Sequence, residues 1–404
     1  MLWWFVSALA RPAVRLWTTT MSRYWSALPR PSGLPQVHSA GSAPDQILLI
    51  GNGPAVGHGV LSHDLALPGA LARQLSARTG RAADIDVHAD GTLTAATIVA
   101  ALGSTRLERF DAVITTIGLN EVLGLSSCRA WESHLGALID HVESASPTGP
   151  QLLIVGVPPM EAISHFPRPL RVLFNHHARL INAHSRRACS GHERATFVPF
   201  VPPAATDTDR YRGRDTYERW AALIVPWLHN RIDPTDRYAR TAGHDEEARQ
   251  RALDALGILD TEPEEEFDAI ARTARDLFGV SGAAITFIDH DRQWIKAATG
   301  MPNEMTPRAT AFCKVTITGT ETFVVEDATG DARFRDHPLV RGETHLRFYA
   351  GQAIESSNGH RVGALCIVDT EPRSFSRSDS ALLRSLAIRV QRQLWARSDR
   401  DLAG

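Results

Sequence analysis

Between Gln46 and about Asn230, short apolar runs alternate with helical stretches, and this alternation constrains the fold more than any other feature. The run Gln46–Ile50 ends in the turn Gly51-Asn52-Gly53-Pro54, and a helical stretch with Leu65, Leu67, Leu71 and Leu75 follows. Asp84–His88 alternates apolar and polar residues. Asp111–Ile117 and Leu152–Val157 read as buried strands, and Thr196–Val201 as the last one. Helices over Leu170–Arg187 and Trp220–Leu228 complete the pattern. Strands separated by helices predict a parallel sheet covered on both faces, a three-layer α/β unit. Ligands of such sheets sit at the carboxyl ends of the strands, near the point where strand order reverses. Three loops fall there: Gly51–Gly59, Ala89–Thr92 and Gly118–Glu121.

Composition narrows the class further. With 404 residues, 22% of them charged, and a formal net charge of −2, the chain has no basic excess, so no nucleic-acid partner is expected. No apolar run approaches the roughly 20 residues that span a bilayer. Cys128, Cys189, Cys313 and Cys366 form no CxxC pair, which argues against a disulfide scaffold and a metal ribbon alike. No metal site is expected, and a reducing cytoplasm is the compartment that fits. Residues 1–45 stand apart: Trp3, Trp4, Trp17 and Trp25 interleave with Arg11, Arg15, Arg23 and Arg30 before the first acid, Asp45. Tryptophan and arginine without acid read as an interfacial segment making peripheral membrane contact. The competing reading is a disordered leader, with Met21 as an alternative start. Residues 31–44, rich in Pro, Ser, Gly and Ala, read as a flexible linker.

On the three loops above, residues 46–230 resemble the SGNH (GDSL-type) hydrolases. That family opens with Gly-Asp-Ser after the first strand, the serine being the nucleophile. Here the turn is Gly51-Asn52-Gly53, followed by Gly57 and Gly59. The second block glycine falls at Gly91, and the third block, Gly-x-Asn-Asp, reads Gly118-Leu119-Asn120-Glu121. The final Asp-x-x-His falls on Thr208-Asp209-Arg210-Tyr211, ahead of Tyr217 and Trp220. The resemblance implies a flavodoxin-like fold with oxyanion donors at the Gly91 N–H and the Asn120 amide. It also puts Gly53 at the nucleophile position and Tyr211 at that of the base. Acyl transfer through a serine ester needs a hydroxyl and a base that titrates near neutrality. Glycine has no hydroxyl, and a tyrosine with a pKa of about 10 is a poor base. A non-catalytic domain is therefore expected.

The alternative is an esterase or acyltransferase with a displaced nucleophile, for which His58, Ser62-His63-Asp64 and Ser126-Ser127 are the local candidates. The consecutive Ser62, His63 and Asp64 read as helical and point in different directions. Ser126 and Ser127 have no evident base. His176, His177 and His184 read as a solvated helix face rather than a metal face. Asp207, Asp209 and Asp215 among Arg210, Arg212 and Arg214 read as a surface loop.

Residues 231–245 are polar and without period, a linker. A helix from near Asp245 passes Leu253 and Leu256 and stops at Gly257. A second begins at Thr261-Glu262-Pro263, with Phe267, Ile270, Ala274, Leu277 and Phe278 as its apolar stripe. Strands follow at Ala283–Asp289, Gln293–Ala298, Thr322–Glu326, Arg347–Ile354 and Arg361–Val368, with tight turns at Asp289–Arg292 and Ser356–His360. A closing helix starts after Ser376, a suitable N-cap. Helix, antiparallel strands, helix is an α+β arrangement.

Several blocks in order make residues 246–396 resemble bacterial GAF domains, leaving 397–404 as a tail. They include Leu256-Gly257-Ile258-Leu259-Asp260-Thr261-Glu262-Pro263-Glu264, Asp291-Arg292-Gln293-Trp294-Ile295-Lys296, Thr306-Pro307-Arg308 and Phe312-Cys313. Arg347-Phe348-Tyr349-Ala350-Gly351 and Leu365-Cys366-Ile367-Val368-Asp369 follow. The resemblance implies binding of a small ligand or dimerisation, regulating a neighbouring output. It names no cofactor: the cyclic-nucleotide signature Asn-Lys-x-Phe-x-x-x-Asp-Glu is missing, and Cys313 precedes Lys314 rather than the His of a bilin site. Candidate pocket residues are Trp294, Phe312, Cys313, Asp327, Arg333, Phe334, Arg347 and Tyr349. Core packing of the aromatics and cysteines, and Arg–Asp pairing, are the competing readings. No output module pattern follows the last helix. A homodimer through the terminal helices is expected, using Ala252, Leu253 and Leu256 with Leu382, Leu386, Val390 and Leu394, unless Trp395 folds back onto its own sheet. The sequence as a whole reads as a sensor domain joined to an SGNH-like domain without its nucleophile.

Overall fold

The computed structural model describes residues 27–32, 34–41, 44–103, 105–145, 149–163, 166–202, 213–229, 231–232, 246–356 and 359–403. Tyr211 with the rest of residues 207–212, residues 1–26 of the leader, Asn358 and most of the linker lie outside them. The chain divides into two compact units, Met1–Ser39 with Pro44–Arg240, and Ala40–Ala43 with Thr241–Gly404.

The first unit is built on six strands: β1 (Gln36–His38), β2 (Asp45–Gly51), β3 (Ala83–Ala89), β4 (Ala112–Thr116), β5 (Gln151–Val155) and β6 (Ala195–Val198). Their order is β1-β3-β2-β4-β5-β6, and all pairs are parallel except β1 with β3. The sheet is therefore mixed rather than wholly parallel. The correction falls in the stretch read as a linker, where Val37 is buried against Ile85 and His38 meets Asp84 at 2.9 Å. The parallel part, β3-β2-β4-β5-β6, has the doubly wound order in which the chain reverses direction across the sheet at β2 and β4. Strand β4 is buried throughout, as a strand covered on both faces must be.

One face packs on α1 (Leu67–Thr79) and α4 (Arg214–His229), where Leu71, Leu75, Tyr217 and Ile224 meet Leu49 and Ile114. The other packs on α2 (Cys128–Ser144) and α3 (Arg168–Cys189), where Trp131, Leu135, Phe174 and Ile181 meet Ile50 and Val113. No helix among the described residues is long and apolar enough to cross a membrane.

The second unit opens with α5 (Glu246–Ala255) and α6 (Glu265–Phe278). Its antiparallel sheet comprises β7 (Gly282–Ile288), β8 (Arg292–Thr299), β9 (Thr306–Pro307), β10 (Phe323–Val325), β11 (Phe348–Glu355) and β12 (Arg361–Asp369), in the order β10-β11-β12-β7-β8-β9. Helix α7 (Arg377–Ala403) closes it. Ser376 accepts from Asp379 N at 3.1 Å while its own N–H reaches Asp379 Oδ2 at 2.9 Å, a reciprocal cap. Helix α6 starts at Glu265 rather than Thr261, because the preceding segment is extended and held from β8. There Lys296 Nζ donates to Thr261 Oγ1 (2.8 Å), Glu262 O (2.6 Å) and Glu264 Oε1 (2.8 Å).

The terminal apolar stripe is largely consumed inside this unit. Leu386, Val390 and Leu394 are buried, and Trp395 folds back so that its Nε1 donates to Glu355 O at 3.1 Å. Of the six leucine and valine positions expected to meet a second copy, Leu382 alone stays open, at 39% exposure.

Helix α5 is pinned by its first residue. Glu246 Oε1 receives Arg249 Nη2 and Arg308 Nη1, both at 2.7 Å, and Arg249 is itself fully buried. Partial burial pushes the Glu246 carboxyl up, but the two guanidinium groups outweigh it and hold its pKa at about 2. A lowered carboxyl pKa contributes stability above the unfolded value and loses it as pH falls toward the folded one. The second unit should therefore weaken between pH 4.5 and about 2. Glu246→Gln should remove that part of the acid sensitivity and cost about 1–2 kcal/mol at neutral pH, Glu246 itself being half exposed. Denaturant unfolding of both chains from neutral to acid pH measures it. Parallel acid profiles would reject the assignment.

Candidate functional site

The carboxyl ends of β2 and β4 are fastened together. Asn52 N donates to Thr116 O at 3.1 Å, and Thr116 Oγ1 donates back to Asn52 O at 2.9 Å. The third loop joins through side-chain amides. Asn52 Nδ2 donates to Leu93 O (2.7 Å), and Asn120 Nδ2 to Gly91 O and Leu93 O (2.9 Å each). Glu121 Oε1 accepts from Ala95 N at 2.6 Å. The three loops singled out from the sequence thus meet at the point where the sheet reverses. A small recess there is lined by Asn52, Gly53, Thr116, Leu119, Val157 and Trp220, among others.

Beside this recess, the Asn120 side chain does not present the amide that an oxyanion hole would need. Both bonds of the Asn120 amide run to backbone carbonyls, so the expected donor is already engaged. Two buried oxygens of these loops have no partner among the described residues: Asn52 Oδ1, on a recess-lining residue 1% exposed, and Glu121 Oε2, on one 6% exposed. Burial pushes the Glu121 carboxyl up, against its backbone hydrogen bonds. An oxyanion needs donors aimed at the developing charge. At Gly53, with φ of +54°, a Cβ would come no nearer than 3.5 Å to Leu119 Cδ2, so the position expected for a nucleophile has space but no hydroxyl.

Ser127 caps α2 by accepting from Ala130 N. Ser62, His63 and Asp64 lie in a turn rather than a helix, which corrects that reading. His58 is buried, and its carbonyl accepts from Tyr217 Oη at 2.8 Å. His177 is a core residue rather than part of a solvated face: it is 1% exposed, with Nδ1 3.3 Å from Val122 O. His176 is exposed and His184 pairs with Glu132 at 3.2 Å. Sequence reasoning passed over Asn52, whose amide joins two of the three loops.

In the second unit, one face of the sheet carries an aromatic cluster. Phe312 stacks on Phe334 (4.1 Å between centroids) and leans on Tyr349 (5.1 Å) and His337 (4.8 Å). Arg333 lies over Phe323 at 5.0 Å while paired with Asp331 at 2.6 Å. Tyr349 Oη meets Thr316 Oγ1 at 2.6 Å and donates to Cys313 Sγ at 3.3 Å, and burial raises its pKa. Cys366 hydrogen-bonds Cys313, which lowers the Cys313 thiol and raises that of Cys366. Asp327 caps its own turn through Thr329, and Arg347 donates to Val340 O and Leu346 O. Of the eight candidates, Phe312, Cys313, Phe334 and Tyr349 share this cluster, with Arg333 at its edge. Trp294 does not. It pairs with Phe287 on the helix-covered face, where Lys296 lies 5.9 Å from its ring and 5.5 Å from that of Phe267 on α6. Among the described residues no group of three or more His, Cys, Asp or Glu side chains is placed to hold a metal.

An antiparallel sheet with helices on one face and an aromatic cluster under short helices and loops on the other defines a sensor-type α+β domain. Residues 262–394 match the family described as GAF domain, and this segment is a GAF domain. The chain is also 42% identical over 144 residues to a cyclic di-GMP phosphodiesterase of Pseudomonas aeruginosa, a match covering 35% of this chain. The chain spans about a quarter of that relative's length, 24%. Among solved structures it is similar to the GAF domain of a phosphoenolpyruvate-protein phosphotransferase from Coxiella burnetii, with 14% identity, 39% of this chain and 96% of that one covered, and a TM-score of 0.30. It is likewise similar to a free methionine-R-sulfoxide reductase from Neisseria meningitidis, with 17% identity, 40% and 96% covered, and a TM-score of 0.29.

Proposed function

We propose that this chain is a regulatory protein of signal transduction, in which the GAF domain senses a small ligand or a second copy of itself and acts on a non-catalytic SGNH-like unit. The observation that carries the second half is the lack of catalytic groups where the loops meet: Gly53 stands where the SGNH resemblance puts the nucleophile, and the Asn120 amide is bonded to Gly91 O and Leu93 O. The first half is supported by the GAF assignment and by a relative named for the turnover of a cyclic dinucleotide, a signalling molecule. The SGNH reading rests on the three meeting loops and the doubly wound strand order.

Hydrolysis of p-nitrophenyl acetate by the full chain should stay at background. Gly53→Ser should fold and still not turn over, since a hydroxyl without a base and an open oxyanion site is inert. Robust turnover by the parent chain, abolished by substituting a serine of the 51–64 or 126–127 loops, would instead establish a displaced-nucleophile esterase.

A further inference from the structure

Beside the recess, and independent of either functional reading, a cleft of about 430 Å³ opens between α3 and the segments that follow β5 and β6. That volume lies in the range of small-molecule sites, roughly 300–1,000 Å³. Helix α3 lines it with Asn175, Arg179, Asn182 and Arg186, a stripe spaced by three and four residues that puts all four on one helical face.

The two asparagines are structural. Asn182 clamps the end of β5, accepting from Val157 N at 2.8 Å and donating to Val157 O at 2.9 Å. Asn175 accepts from Met160 N at 2.8 Å and donates to both oxygens of Glu161, at 3.0 and 2.9 Å. Glu161 is the one carboxylate lining the cleft, and Arg171 stands 3.5 Å from it. Those groups are thus accounted for within the fold.

The arginines are not. Arg186 lies over the Phe197 ring at 5.1 Å and has no carboxylate partner among the described residues. Stacking of this kind holds a guanidinium in place while leaving its forked edge for a planar or tetrahedral oxyanion. Arg179, two turns earlier, donates among the described residues only its Nε, to Asn175 O of its own helix at 3.2 Å. The helix carries Arg168, Arg171, Arg179, Arg186 and Arg187 and no acidic residue, so no charge on it offsets the pair. The opposite wall is apolar, with Pro199, Phe200 and a Val201 that is 68% exposed.

We infer that this cleft binds a small organic anion, an oxyanion group on a short apolar body, with Arg186 as the anchoring residue and Arg179 as the second charge. The oxyanion can come from a carboxylate or from a phosphate monoester, and two probes separate the sources. Full-length protein is titrated calorimetrically at low ionic strength with hexanoate, butyl phosphate, inorganic phosphate and neutral hexanamide. One or both organic anions should bind, the tighter one naming the source. Hexanamide should bind at least about tenfold more weakly, for lack of the charge. Inorganic phosphate should bind several-fold more weakly than butyl phosphate, for lack of the apolar body. Arg186→Gln should weaken binding about tenfold or more and Arg179→Gln by less. Arg168→Gln, on the same helix outside the cleft, should leave it unchanged. Both variants in the cleft alter exposed side chains, and circular dichroism checks that they fold. The inference is overturned if neither anion binds at about 5 mM, or if Arg186→Gln binds like the parent. Equal loss with Arg168→Gln overturns it as well. So does tight binding of a short DNA oligonucleotide at Arg186 when both small anions fail.

Discussion

Replacing Lys296 with alanine should lower the stability of the GAF domain by about 3–5 kcal/mol, the usual cost of removing one partner of a buried ion pair. The Lys296 side chain is fully buried in β8, and its ammonium makes three hydrogen bonds, to Thr261 Oγ1, Glu262 O and Glu264 Oε1. These bonds keep the 261–264 segment extended against the sheet and fix where α6 begins. Alanine leaves Glu262 O and Thr261 Oγ1 without their donor. Among the described residues, Glu264 then keeps only Arg397 Nε, at 3.2 Å. The substitution also removes the methylene stem that packs beside Phe267 and Trp294. Methionine restores the stem but not the charge and should recover part of the loss. Because the pair is buried, salt should change these differences little. Denaturant unfolding of the full chain, with amide exchange on β8 and α6, measures both variants. A loss below about 1 kcal/mol for alanine would mean that the segment is held by something other than Lys296.

Lys296 also marks where sequence reasoning reaches its limit. The strand was legible from its period, but both faces of this sheet are covered. Alternation therefore separates Trp294 and Lys296 from Gln293 and Ile295 without saying which set meets the helices. Trp294, expected to line the pocket, lies instead on the helix-covered face. The doubly wound unit was legible because its central strands are continuous apolar runs ending in glycine turns, and those turns locate the three loops. Strand β1 was hidden because three residues in a Pro- and Ser-rich stretch carry no periodic signal, and only Val37 is apolar. The engagement of the Asn120 amide depends on a contact across 29 residues of sequence that no spacing rule contains. His177 is different. It lies three residues after Phe174 and four before Ile181, on the buried stripe of α3, so its burial was present in the spacing and was missed.

The second large effect concerns Gly51, where β2 ends beside β4. Its φ is +152°, and a Cβ built there would lie 2.6 Å from Thr116 Oγ1 and 2.7 Å from Thr116 O. A hydroxyl can rotate away, but a neighbouring strand's carbonyl cannot. Gly51 and Thr116 are registered partners, and Asn52 N bonds that same oxygen at 3.1 Å. Asp90 N reaches Gly51 O at 3.1 Å, so retreat to the other side loosens the 89–95 loop as well. Gly51→Ala should therefore cost about 4 kcal/mol or more, and Gly51→Val should prevent the first unit from folding. Gly91 is the matched control. It belongs to the same cluster of loops, but a Cβ there meets nothing within 4 Å, so Gly91→Ala should stay within about 0.5 kcal/mol of the parent. Urea unfolding of the three full-length variants tests the contrast. If Gly51→Ala were as mild as Gly91→Ala, the close approach of β2 to Thr116 would be wrong, and with it the fastening that brings the three loops of the recess together.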